Sequence, residues 1–244
     1  MENQTIFGIR AILEAIENEI TLDKVFLLKE SQGTLMRQLL HQLKQNGINF
    51  QFVPEEKFYK FKDKNHQGAM AQIAPVNFWD LEMLVEKVMA EESNPLFLLL
   101  DQISDARNFG AILRTAACCG VHGIIVPKSG SAPVNADTIK TSAGGIFHVP
   151  ICKVDHLKDA LFYLQGSEVA IFAATEKAEN NIYQANFNQP MALIMGSEDR
   201  GINPTLLKVI EHKVKLPMTG KIASLNVSVA CGAILYEVIT QRQE

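Results

Sequence analysis

The sequence predicts an α/β protein in two parts, on three observations. From Leu96 onward, strongly apolar runs alternate with helical stretches. Up to about residue 75, a smaller set of strands and helices alternates in the same manner. Between them, residues 77–94 form an acidic segment unlike either flank. The strands of the larger part are LFLLL (96–100), GIIVP (123–127), HVPI (148–151), VAIFAA (169–174), MALIMG (191–196) and HKVKLP (212–217). The helices between them start near Asn108, Asp137, Asp155, Asn203 and Ser224. Nearly continuous apolar strands joined by helices imply a doubly wound parallel sheet covered on both faces. Ligands of such sheets bind beyond the carboxyl ends of the strands, which points to the loops after residues 100, 196 and 217.

In the smaller part, IFGIRAILEAIEN sets Ile9, Ile12, Leu13 and Ile16 at helical spacing. KVFLL is a short strand, LMRQLLHQLKQNG a helix closed by Gly47, INFQFV an alternating strand, and HQGAMAQIA a final one. The expected division is therefore a domain at 1–75, an acidic linker at 76–95 containing a solvated helix, and a second domain at 96–244.

Composition narrows the class. With 47% hydrophobic and 20% charged residues, the 244-residue chain can bury an ordinary core. Asp80, Glu82, Glu86, Glu91 and Glu92 against Lys87 account for the whole formal charge of -4. Net charge therefore neither supports nor excludes a polyanionic partner, and a local patch has to be sought. No basic flank precedes an apolar run at the N-terminus, and no run approaches the roughly 18 apolar residues of a membrane span. Neither a signal peptide nor a membrane role is expected. Cys118, Cys119, Cys152 and Cys231 form no C-x-x-C pair and read as buried reduced thiols of a cytoplasmic protein. The six histidines are scattered, so no metal site is expected.

Three loops carry polar chemistry. In LDQISDARNFGAILRTAACCGV, Asn108 is a good helix N-cap, Gly110 allows close backbone approach, and Arg114 follows six residues on. Six residues turn a helix by about 600°, so the two side chains stand about 120° apart unless the helix starts after Asn108. Ala111, Ile112, Ala116 and Ala117 around Arg114 predict that it is at least partly buried, whereas a capped helix with a surface arginine is the plainer reading. LIMGSEDRGINP runs a strand into Gly196, Ser197, Glu198, Asp199, Arg200 and Gly201; it is neither a Walker A loop nor G-x-S-x-G. Either a ligand loop or a plain strand-to-helix turn fits it. In LPMTGKIASLNVSVACGAILYE, Ser224 is placed to cap the last helix. Asn226 falls on a face with Val229, Ala230 and Ala233, expected to point inward, and an unpaired amide there would cost about 1–3 kcal/mol. No G-x-G-x-x-G follows a strand, which disfavours a nicotinamide enzyme or an ordinary Rossmann methyltransferase.

Taken in order, NFGAILRTAA, MGSEDRG and LPMTGKIASLNVSVA resemble the three motifs of the SpoU branch of the SPOUT RNA methyltransferases. The resemblance spans about 96–244. IFGIRAILEAI and HQGAMA extend it to the L30e-like substrate-binding domain of the bacterial enzymes that methylate a guanosine ribose in large-subunit ribosomal RNA. It implies a C-terminal domain threaded as a deep trefoil knot, a homodimer formed through that domain, and S-adenosylmethionine as cofactor. It further implies that Gly196, Leu216, Met218 and Leu225 contact the cofactor, with Leu216 where the family commonly has isoleucine. Asn108, Arg114, Glu198, Ser224 and Asn226 match the polar residues around the reacting ribose.

The implied reaction is 2'-O-methylation of RNA, in-line attack of a ribose hydroxyl on a sulfonium methyl. The family assigns the base to the arginine of the first motif. A guanidinium is a poor base, so Arg114 is expected to hold the neighbouring phosphate and orient the hydroxyl, with Glu198 or water competing for the proton. RNA capture is expected from Lys57, Lys60, Lys62 and Lys64, interleaved with Phe58, Tyr59 and Phe61, although a solvated loop with core aromatics explains the same pattern. Ribosomal RNA is the expected substrate. The alternatives are a transfer-RNA methyltransferase, a resistance-type enzyme acting on another ribosomal nucleotide, and a non-catalytic RNA-binding or ribosome-assembly factor. The presence of all four of Asn108, Arg114, Glu198 and Asn226 weighs against the last.

Overall fold

The computed structural model describes residues 5–17, 20–29, 31, 33–63, 65–73, 76–221 and 224–243, except the side chain of Ala136. The chain forms two compact units, Met1–Val76 and Asn77–Glu244.

The first unit runs β1 (Thr5–Phe7), α1 (Ile9–Glu17), β2 (Leu22–Leu28), α2 (Thr34–Gln45), β3 (Phe50–Val53), a 3₁₀ turn (Glu55–Phe61) and β4 (Ala69–Ile73). Its sheet has the order β1-β4-β2-β3, with only β2 and β3 parallel. Period-two alternation explains why both faces are covered. Val25, Leu27, Ala69 and Ala71 meet Ile12, Leu13, Leu39 and Leu43 of the two helices. Phe26 and Met70 point the other way and meet Val53 and Phe58.

The second unit continues with β5 (Phe78–Trp79), α3 (Leu81–Glu91), β6 (Leu96–Asp101), α4 (Ala106–Cys118), β7 (Gly123–Pro127), α5 (Ala136–Ser142) and β8 (Ile151–Val154). It ends with α6 (Leu157–Gly166), β9 (Ala170–Ala174), β10 (Asn180–Asn181), β11 (Met191–Gly196), α7 (Pro204–Leu207), β12 (His212–Lys215) and α8 (Val227–Gln243). All eight strands pair in parallel, in the order β10-β12-β9-β11-β6-β7-β8-β5. Every residue of β6 is buried, as a central strand covered on both sides requires. Phe97 and Leu99 meet Leu84, Val88, Leu161 and Leu164 of α3 and α6. α4 lies against α5 and α8.

The acidic segment is not a free linker. β5 pairs with β8 at the sheet edge, and α3, capped by the Asp80 carboxylate at the Glu82 and Met83 amides, buries Leu84, Val85 and Val88. Its charges occupy the outer face of a helix whose inner face completes the core. Helix starts also differ from expectation. Asp105, not Asn108, caps α4, accepting from Arg107 N and Asn108 N. α8 begins at Val227, with Asn226 Oδ1 rather than Ser224 receiving the first amides, Ser228 N at 3.0 Å and Val229 N at 3.4 Å. Asn226 and Val229 are exposed, so their face of α8 does not point inward within the chain.

Contrary to the expectation of four buried thiols, Cys118 lies on the outer side of α4 and is exposed, while burial pushes the thiols of Cys119, Cys152 and Cys231 up to about 11, 12 and 12. Among the described residues no helix is long and apolar enough to cross a membrane.

Candidate active site

Strand β11 brings Gly196 level with Asp101 at the end of β6 and has β9 on its other side. The chain must therefore turn at adjacent points of the sheet, and a cleft of about 440 Å³ opens there. Its walls come from the ends of β9, β11 and β12 and from the start of α8. Gly196, Glu198, Leu216, Met218, Ser224 and Leu225, all predicted from sequence, line it. Thr175, Glu176 and Lys177 line it as well. Sequence reasoning passed over them because only the strand order puts β9 between β11 and β12.

The loop after β11 is tightly folded. Gly201 N donates to Ser197 O at 2.9 Å, Arg200 N donates to Ser197 Oγ at 3.3 Å, and Gly201 has a φ of 65°. A Cβ on Gly196 would overlap the backbone of Gly201 and Ile202, so only glycine fits there. Beneath the loop, buried Asp101 accepts from Asn203 N at 2.7 Å and ties the ends of β6 and β11 together.

This fold turns Glu198 toward Asn108 and Asn226. Its Oε1 accepts from Asn108 Nδ2 at 3.1 Å, Asn226 Nδ2 at 2.6 Å and Val227 N at 3.0 Å. Asn226 Nδ2 also donates to Asn108 Oδ1 at 2.9 Å. Three side chains, one from the first turn of α4 and two from the segments after β11 and β12, thus close one hydrogen-bonded trio, and Glu198 carries it to the cleft wall. Within that trio Oε2 of Glu198 takes no hydrogen bond from a described residue.

Arg114 stands apart. Both it and Asn108 lie inside α4, so they diverge by about 120°. Arg114 is exposed rather than partly buried, does not line the cleft, and makes no hydrogen bond or ion pair among the described residues. Gly110 packs against α5, where an added Cβ would meet Thr141 Cβ at 2.7 Å. That explains this glycine without a ligand.

In the first unit, Lys57, Lys60 and Lys62 are exposed, and Lys64 lies outside the described residues. Lys57 Nζ stands 4.3 Å from the Phe26 ring centroid, and Lys62 Nζ 5.0 Å from that of Tyr59. Phe58 is core, and Phe61 leans on Phe7 with ring centroids 4.8 Å apart. Of the three aromatics in this stretch, only Tyr59 is exposed for stacking.

A cleft lined by both apolar and charged residues at the carboxyl ends of parallel strands, joined to a fixed polar trio, is where an α/β protein of this class binds its ligand. The chain belongs to the SpoU rRNA methylase family, whose model matches residues 95–236. The model for RNA 2'-O ribose methyltransferase substrate binding matches residues 5–79. Among relatives, the 23S rRNA (guanosine-2'-O-)-methyltransferase RlmB of Photobacterium profundum is 34% identical, covering 100% of both chains. YacO of Bacillus subtilis, assigned to the TrmH family of tRNA/rRNA methyltransferases, is 31% identical over 99% of this chain and 97% of its own. Among solved structures, the SpoU methyltransferase AviRb from Streptomyces viridochromogenes in complex with AdoMet superposes with a TM-score of 0.72. It covers 98% of this chain and 90% of its own at 22% identity, a likeness of fold. The reaction class is the family's: methyl transfer from S-adenosylmethionine to a ribose 2'-hydroxyl of RNA.

The cleft suits that cofactor. Its volume lies in the range of small-molecule sites. Leu216, Met218 and Leu225 offer apolar surface, the bare Gly196 backbone admits close approach, and Glu176 and Lys177 supply charges of both signs for a zwitterionic tail.

Proposed function

We propose that the protein methylates a guanosine ribose of 23S ribosomal RNA, in the cytoplasm, as a homodimer. The observation that carries the catalytic part of this reading is the Asn108–Glu198–Asn226 trio, assembled from three segments beside the donor cleft. The choice of substrate is supported by relatives named for that nucleotide which match the whole chain, first unit included.

In this reading Gly196, Leu216, Met218 and Leu225 hold S-adenosylmethionine, which supplies an electrophilic methyl on a positively charged sulfur. Asn108 and Asn226 fix the Glu198 carboxylate, so that Oε2 meets the ribose hydroxyl in one orientation and receives its proton directly or through water. Ser224 lines the same wall and steers the ribose. Arg114, with five N–H donors and no acceptor, binds the phosphate beside the target ribose. It does so across the subunit interface, because within its own chain it points away from the trio. Lys57, Lys60 and Lys62, with Lys64, contact RNA phosphates from the first unit, and Tyr59 stacks on an unpaired base.

Domain boundaries follow from the same reading: an RNA-capturing domain over 1–75 and a catalytic domain beyond it, with 77–94 belonging to the latter. So does the knotted threading of the second unit. It is supported by the insertion of β11 between β9 and the earlier β6, and by the convergence of the loops after β11 and β12 on one cleft.

The test is transfer of tritiated methyl from S-adenosylmethionine to total RNA, followed by mapping of the modified ribose. The expected label sits on one guanosine of 23S ribosomal RNA. Label confined to transfer RNA moves the substrate to the other RNA class in the YacO family name. No label in any RNA overturns the reading.

A further inference from the structure

The second unit carries another groove, of about 520 Å³, among whose lining residues only Lys177 is assigned above. It lies over β9 and β12 and is walled by residues of the 178–189 segment. Lys177 and Val214 line both this groove and the donor cleft, so the two share a wall.

Its floor is a stacked pair. His212 and Phe172 are register partners in β12 and β9, with ring centroids 4.9 Å apart and an interplanar angle of 21°. Phe172 is buried and braced edge-on by Phe187 at 5.0 Å. His212 is exposed and lines the groove.

The rim suits a base edge. The carbonyl oxygens of Gln184 and Asn186 accept from Asn181 N at 2.8 Å and Asn188 N at 3.0 Å. These bonds fix each amide plane and leave its NH₂ group to donate. The Asn180 side chain is exposed and makes no hydrogen bond among the described residues. Lys177 and Lys213 are matched by Glu179 and Glu211, so the groove carries no excess charge and is not a phosphate track. An aromatic face, amide donors, carboxylate acceptors and two flanking cations are instead the chemistry that recognises an unpaired nucleotide.

We propose that this groove binds an unpaired nucleotide of the RNA substrate, its base stacked on His212 and its edge read by the surrounding amides and carboxylates. The proposal rests on the reading of the protein as an RNA methyltransferase. It adds that the second unit itself selects unpaired RNA beside the donor cleft.

The experiment compares His212→Ala and His212→Tyr in the full chain, with a 23S ribosomal RNA transcript as the probe. The alanine variant is expected to raise KM for RNA about tenfold, with kcat at saturating RNA and the dissociation constant for S-adenosylmethionine unchanged. The tyrosine variant restores KM because it restores a stacking face. An unchanged KM in the alanine variant overturns the proposal while leaving the enzymatic reading intact. So does failure of tyrosine to restore KM in a protein that unfolds at the native temperature. Should His212→Ala not fold, the double variant Asn180→Ala/Gln184→Ala on the exposed rim is expected to raise KM in the same way, and a native KM there counts against the groove. If the native protein methylates no RNA, the enzymatic reading fails first and this proposal falls with it.

Discussion

At the scale of single residues, Glu198 and Gly196 depend on each other. Glu198 reaches Asn108 and Asn226 only because the loop between Gly196 and Gly201 closes on itself, and that closure leaves no room for a Cβ at Gly196. In Gly196→Ala the loop must shift by about the size of a methyl group. Misplacement on that scale costs about 100-fold in turnover, and the same shift weakens S-adenosylmethionine. Calorimetry should show lost donor affinity in a protein that keeps its native far-ultraviolet circular dichroism, with the thermal midpoint lowered because the end of β11 and the Gly201 backbone must move apart. Donor affinity equal to native would mean that the backbone contact at Gly196 is not used. Much of this residue-level placement was legible in the sequence, since Gly196 and Glu198 were singled out and do line the cleft. Arg114 was misread because alanines on both sides of a helix residue do not say which face another element covers. The Thr175–Lys177 segment was invisible because nothing local distinguishes it from an ordinary turn.

At the scale of elements, the ends opposite the active site are fastened by α8. Arg242, in its last turn, donates to the carbonyls of Asn94, Pro95, Phe187 and Gln189, at the starts of β6 and β11. Beside it His122 Nδ1 accepts from Leu96 N at 3.0 Å, with Glu92 3.7 Å from Nε2. Burial holds the His122 imidazolium below the usual histidine range, Glu92 opposes that effect and Arg242 adds to it. The folded protein therefore keeps His122 neutral at a pH where the unfolded chain is already protonated. Its contribution is complete above about pH 6.5 and is lost as pH falls through the depressed folded value. Urea midpoints should hold between pH 8 and 7 and decline toward pH 5.5, with His122→Asn flattening that decline. An identical pH slope in the variant would assign the loss to other groups. Elements were readable where apolar runs were long, as in β6 and β11. They were misplaced where two capping residues stood close together, Asp105 with Asn108 and Ser224 with Asn226. Composition offered both members of each pair, and the register of the helix against the core chose between them. Charge misled in α3, where acids on one face hid an apolar face of Leu84, Val85 and Val88.

At the scale of the whole molecule, α8 leaves an apolar stripe uncovered. Val229 is 56% exposed and Tyr236 59%, with exposed Ala233 between them at helical spacing. In the proposed homodimer a second copy meeting this stripe about a two-fold axis would cover both stripes at once. The neighbouring helix α4 approaches α8 closely, an added Cβ on Gly232 lying 3.6 Å from Thr115 Cγ2. Arg114, adjacent to Thr115, then sits beside that surface, exposed and without a partner of its own among the described residues. If it serves the reaction it serves the other subunit's cleft. Mixing subunits tests this directly. Arg114→Ala is expected to lower turnover by about 100-fold while leaving donor binding measurable, and Gly196→Ala to lower turnover by about as much through weakened donor binding. In a heterodimer of the two, the intact cleft of the first receives the intact arginine of the second. Random reassociation of equal amounts makes half the dimers mixed, each with one complete site, so activity should return to about a quarter of native. If instead each arginine serves its own chain, every site in the mixture lacks one part and activity stays at the level of the separate variants. A chain that sediments as a monomer at assay concentration would remove the interface altogether.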